Sequence, residues 1–179
     1  MTARPFFRAG WIALYFLVGF AALAAAVSGP PLGLDERIAA WVQSFETPSL
    51  TRTMMFFSLI GDTRQVVAIA AAVMLLLFFA LRRRMELLFF SATVAGSSIW
   101  NNAIKLLIRR ERPDVHRLLE ETGYSFPSGH TMVACAMYGA LVVLLWRHAP
   151  SRAGRALLVA ACAALILAIA LSRIYLGVH

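Results

Sequence analysis

Lysine is almost missing from this chain: of 17 basic residues, Lys105 alone is not an arginine. Cysteine is nearly as rare, with Cys135 and Cys162 both inside apolar stretches. Two thiols so placed exclude a disulfide framework or a thiolate metal centre and read as buried small hydrophobes. Charge is scarce too, at 15% of residues against 60% hydrophobic, with a mean hydropathy of +0.73. That balance excludes an ordinary soluble domain. Internal repeats and low-complexity linkers are also missing, so a single membrane-embedded domain is expected over residues 1–179.

What is present is a set of charge-free runs: 19 residues over Gly10–Ser28, 16 over Val66–Leu81, 18 over Leu87–Ile104, 16 over Thr131–Trp146 and 17 over Ala156–Ser172. A bilayer span needs about 20 mostly apolar residues. The shorter runs can borrow flanking arginine and histidine, which snorkel to the interface. The reading is all-α: a polytopic membrane helical bundle with five transmembrane helices. The first run is longer than a signal core and precedes further spans, so an uncleaved first helix is expected.

The net charge of +8 does not mark a nucleic-acid protein, because its distribution follows the membrane. Arg4 and Arg8, then Arg82, Arg83 and Arg84, then Arg147, Arg152 and Arg155 all fall on one side of a five-span topology. That side is cytoplasmic by the positive-inside rule. The opposite segment from Pro30 to Arg64 carries four acids (Asp35, Glu36, Glu46, Asp62) against three arginines (Arg37, Arg52, Arg64). Within it, Leu34, Ile38, Trp41, Val42 and Phe45 share one helical face, with Asp35 as a possible N-cap. This predicts a short interfacial helix. The outward segment 109–127 carries four arginines against the topological bias, which suggests use rather than orientation. Within that segment His116 reads as a solvated loop residue, while Arg109 and Arg110 read equally as a solvated face or as a means of steering anionic headgroups. Asn101 and Asn102 read as interhelical hydrogen-bonding residues.

Three clusters stand at outward helix ends: "KLLIRRERP" with Lys105 and Arg112, "PSGH" with Ser128, Gly129 and His130, and "SRIYLGVH" with Arg173 and His179. Alternating topology lets them converge. Arginine forks onto phosphate oxygens and lysine adds a point charge. Ser128 and Gly129 open a helix whose free N–H groups favour an anion, and glycine permits close approach. Of the two histidines, one can attack phosphorus while the other protonates the leaving oxygen.

Together, Lys105…Arg112-Pro113, Pro127-Ser128-Gly129-His130 and Ser172-Arg173…His179 resemble the three-part signature of the type 2 phosphatidic acid phosphatase (PAP2) superfamily. The resemblance covers roughly residues 30–179. It implies a metal-independent lipid phosphatase without cofactor. In it His179 is the nucleophile forming a phosphohistidine, and His130 is the general acid. Lys105, Arg112, Ser128, Gly129 and Arg173 hold the phosphoryl oxygens. No carboxylate cluster in the sequence offers a metal site, so the basic cage would supply the charge stabilisation.

The family pattern continues to an aspartate four residues past the last histidine, and usually to a sixth span. This sequence stops at His179. A nucleophile on a fraying terminus without its orienting carboxylate is expected to be weak, so the chain as written should be poorly active and extension should raise turnover. The expected setting is a multi-pass protein of the inner (plasma) membrane, its site facing the periplasm or exterior. The expected partners are the bilayer and a lipid phosphate: phosphatidate, phosphatidylglycerol phosphate or undecaprenyl diphosphate. A lipid phosphotransferase would use the same residues. A non-catalytic lipid-phosphate binding protein would keep the cage without turnover. A vanadate haloperoxidase shares the signature but not the spans. Substrate identity and oligomeric state are not encoded in any motif.

Overall fold

The structure is a computed structural model that describes residues 18–20, 22, 25, 33–112, 118, 119, 121 and 123–178. Most of the predicted first span, together with Pro113, His116 and His179, lies outside the described residues. Six helices follow: α1 (Gly33–Gln43), α2 (Pro48–Ile60), α3 (Thr63–Leu75, continued by a π turn over Leu76–Ala80), α4 (Arg84–Ile108), α5 (Gly129–Leu145) and α6 (Arg152–Tyr175). No strand occurs among the described residues.

Helices α3 to α6 coincide with the last four predicted runs. Two of them, Thr63–Ala80 and Arg152–Tyr175, are long and apolar enough to cross a membrane by length and composition. The apolar helix α5 is shorter, at 17 residues. Their outer surfaces carry large apolar side chains: Leu107 is 83% exposed, Leu157 72% and Phe79 69%. Such faces are stable against hydrocarbon and costly against water. Cys135 is on this exposed surface rather than buried as expected, while Cys162 is partly buried beside the core.

The core lies between α3, α4, α5 and α6, where Val66, Ala70, Phe90, Ala134, Met137 and Ile169 meet. Small residues at Ala70, Ala134 and Ala140 let the helices approach closely.

The predicted short helix exists as α1, packed on one side and exposed on the other. Ala39 is buried and Val42 packs against the end of α6. Ile38, Trp41 and Phe45 are exposed, and the side chain of Leu34 lies outside the described ones. Asp35 is not the N-cap. It lies inside the first turn and pairs with Arg110. Arg110 is therefore no solvated residue: its side chain is 10% exposed.

Helix α2 was not predicted. Thr47 caps it, accepting from the Leu50 N–H at 3.2 Å, and Pro48 occupies its first turn. It packs along α6. Thr51 Oγ1 and Tyr175 Oη share a hydrogen bond of 2.7 Å, and Gln43 Nε2 donates to the Tyr175 carbonyl at 3.1 Å. Under α1 and α2 the end of α6 is enclosed, with Tyr175, Leu176 and Val178 essentially fully buried.

Candidate active site

Four helix termini build the site. Ser128 is the N-cap of α5, its Oγ accepting from the Thr131 N–H at 3.4 Å and from Thr131 Oγ1 at 3.1 Å. Helix α4 anchors this start: Asn101, buried, donates from Nδ2 to the Pro127 carbonyl at 3.3 Å. That is the interhelical role expected of it. A Cβ at Gly129 would stand 3.3 Å from Asn101 Oδ1 and 3.9 Å from Lys105 Nζ. Glycine at this position brings the helix start against the lysine, one turn beyond Asn101 on α4.

Arg109 closes α4 in the left-handed region, at φ 50°, and donates its N–H to the Lys105 carbonyl at 2.9 Å. The chain thereby turns back and carries Arg112 over the site. Arg112 donates from Nε to the Gly123 carbonyl at 3.1 Å and from one terminal nitrogen to the Val178 carbonyl. Arg173, in the last turn of α6, is 1% exposed. It donates to Ser58 Oγ at 2.7 Å and to Glu121 Oε1 at 2.6 Å. The other oxygen of Glu121 faces Arg112 at 3.8 Å.

His130 is half-buried in the first turn of α5, ahead of the apolar run that begins at Thr131. Its Nε2 stands 3.9 Å from Asp62 Oδ2. Asp62 also caps α3, accepting from the Arg64 N–H at 2.9 Å. Burial pushes the His130 pKa down from the ordinary histidine value, and the Arg173 charge adds to this, against the opposing pull of Glu121 and Asp62. Burial alone would raise the Glu121 carboxyl. The hydrogen bond and charge of Arg173, with His130 and Arg112, outweigh it and hold the group below the usual carboxylate range.

Gly61, at the corner between α2 and α3, is also dictated by proximity. A Cβ there would meet Ile169 Cγ2 at 2.7 Å and His130 Cβ at 3.4 Å. Ile169 is fully buried and cannot retreat. Gly61→Ala is expected to overpack this corner by about 1–3 kcal/mol and to disturb the His130–Asp62 pair. The check is the thermal midpoint, which should fall.

Lys105, Arg112, Glu121, Gly129 and His130 line one end of a cavity of about 550 Å³. Its other end runs between α3 and α4 along Val66, Ala70, Met74 and Val94. Of the seven predicted site residues, four thus share one cavity. Ser128 and Arg173 line a second cavity of about 300 Å³, and Arg173 reaches the first group through Glu121. His179 is outside the described residues. The residue before it, Val178, is fully buried, and its N–H donates to the Arg173 carbonyl at 3.2 Å.

Sequence reasoning missed Glu121, Asp62 and Ser58. The signal for Glu121 was available, since it is an acid on the segment joining two basic motifs. Ser58 carried no such signal.

The model described as the PAP2 superfamily matches residues 86–179. Phosphatidylglycerophosphatase B of Bacillus subtilis (strain 168) is 39% identical over 80 residues. That alignment covers 44% of this chain and only 39% of the relative's length. A crystal structure described as the first transmembrane PAP2 type phosphatidylglycerolphosphate phosphatase, also from Bacillus subtilis, superposes with a TM-score of 0.81. It is 26% identical, and the superposition covers 93% of this chain and 83% of that one.

Proposed function

Because the chain belongs to the PAP2 superfamily, we propose that it is an integral membrane lipid phosphatase that hydrolyses a lipid phosphomonoester or diphosphate at the extracytoplasmic face. The observation that carries this reading is the cavity itself, apolar between two helices and cationic at its end. An amphiphile with a phosphorylated head fits both halves. Phosphatidylglycerol phosphate is the first substrate to test, because both Bacillus relatives bear that activity in their names. Phosphatidate and undecaprenyl diphosphate are the alternatives.

The chemistry follows from the residue types. An imidazole nitrogen of His179 attacks phosphorus as the ester P–O bond breaks. Lys105, Arg112, Arg173 and the N–H groups at Ser128 and Gly129 take the charge on the non-bridging oxygens. His130 gives its proton to the departing oxygen. It then removes a proton from water, which cleaves the P–N bond and releases inorganic phosphate. The guanidinium and ammonium groups supply the charge stabilisation that a metal provides elsewhere, so turnover is metal-independent.

Five spans, over Gly10–Ser28 and the four later runs, put the basic loops Arg82–Arg84 and Arg147–Arg155 inside and the site outside. The support is that the site draws on the start of α3, the end of α4, the start of α5 and the end of α6. The arginine clusters flank the opposite ends of the same helices. The setting is the inner (plasma) membrane.

The test is phosphate release from the three lipid phosphates in detergent with a chelator present, using the chain and a form extended beyond His179. Chelator-resistant release is expected in the extended form, with little from the chain as written. Release that depends on an added lipid acceptor would point to phosphotransfer, and tight phosphate binding without release to a binding protein. The pH profile carries a further expectation. His130 must be protonated to act, and its free-state pKa lies below the ordinary value of about 6.5. The alkaline limb of kcat/KM should therefore lie below that value. A bound phosphoryl dianion favours the imidazolium, so the limb of kcat should lie at higher pH.

A further inference from the structure

One anion already sits among the cations. Glu121 accepts from Arg173 at 2.6 Å and faces Arg112 at 3.8 Å, and it lines the same cavity as Lys105 and His130. Its side chain is partly open, at 27% exposure, whereas that of Arg173 is closed off, at 1%. The carboxylate comes from the segment between α4 and α5, whereas Arg173 is held in the last turn of α6. It carries one negative charge and is ionised at neutral pH.

Resting on the phosphatase reading above, we infer that Glu121 is a specificity-determining residue, a resident monoanion that admits only ligands of greater charge. The bilayer presents anionic phosphodiester headgroups in large excess over any lipid phosphomonoester. Each carries one negative charge. Such a headgroup would exchange one monoanion for another at Arg173 and lose the hydrogen bond already formed, so it gains nothing by entering. A phosphomonoester carries close to two negative charges at neutral pH, and a diphosphate more. It offers more oxygens to Arg112, Arg173 and Lys105 than a carboxylate does, and displaces Glu121 at a gain. Once the ester is cleaved, a product such as a phosphodiester lipid has lost that advantage, and the carboxylate returns. Glu121 on this account is not a catalytic residue. It sets the charge threshold of the site through Arg173 and Arg112.

Glu121→Gln tests this directly, because the amide keeps the size and an acceptor oxygen for Arg173 and removes the charge. Binding of inorganic phosphate and of dimethyl phosphate, a monoanionic diester, would be measured on the purified full chain by calorimetry. No turnover is needed. In the wild type phosphate should bind and dimethyl phosphate should bind far more weakly. In Glu121→Gln the diester should tighten on the order of tenfold, and the preference for phosphate should narrow by a similar factor. In mixed micelles, rising phosphatidylglycerol should inhibit the variant and spare the wild type. Glu121→Asp keeps the charge but falls short of Arg173, and should lie between the two; it also controls for a folding defect in the amide variant. Phosphate binding with an unchanged preference in both variants sinks the charge filter and leaves the phosphatase reading standing. Absence of phosphate binding in every form sinks both.

Discussion

Replacing Arg173 by methionine is expected to lower phosphate release by on the order of 10²–10³, the range found when one transition-state donor is removed. The side chain has no solvent to fall back on, being 1% exposed. Its terminal nitrogens are committed to Ser58 at 2.7 Å and Glu121 at 2.6 Å. Methionine fills the volume of the stem but leaves Glu121 facing Arg112 alone and Ser58 without its donor. Arg173→Lys should recover only part of the loss. An ammonium is a point charge and cannot fork to two partners as a guanidinium does. Phosphate release from the best lipid substrate, with far-ultraviolet circular dichroism to confirm folding, checks the result. Release within tenfold of wild type in the methionine variant would remove Arg173 from the site.

The second large effect belongs to His179. His179→Ala is expected to reduce release by on the order of 10⁴ or more, as loss of a covalent nucleophile does. The rate alone does not separate a nucleophile from a binding residue. Quenching a reaction with labelled phosphate should therefore trap acid-labile, base-stable label on the wild-type chain and none on His179→Ala. His130→Asn makes the complementary case. With a substrate whose leaving group needs no proton, the first step survives and the second lacks its base, so label should accumulate. Label on His179→Ala would overturn the assignment.

Much of the architecture was legible because a charge-free run of membrane length has few ways to fold. The positions of α3 to α6 followed from that alone. Lys105, Arg112, Gly129 and His130 were legible as a group because alternating helices must put their ends on the same side. The parts that were not legible depend on packing between distant segments. Ser58 meets Arg173 across 115 residues, and Thr51 meets Tyr175 across 124. No periodicity announces such pairs. Helix α2 went unread although Thr47-Pro48 is a helix-start signal, because attention to apolar spans discounts a mixed segment. The pairing of Arg110 was illegible for a related reason. An arginine in a charged loop is usually solvated, and only the fold reveals that Asp35 of α1 stands beside it.

The shortness of α5 has a consequence for the setting in which the protein works. At 1.5 Å per residue its 17 residues reach about 25 Å, while a hydrocarbon layer is about 30 Å thick. Helix α6, with 24 residues, reaches about 36 Å. Read as spans, the two are mismatched to the same layer in opposite senses. The bilayer must thin beside α5 or the helix must draw its polar start below the headgroup plane. On the phosphatase reading, thinning would bring the headgroup plane nearer the start of α5, so acyl chain length in the surrounding lipid is expected to influence how easily a headgroup reaches the site.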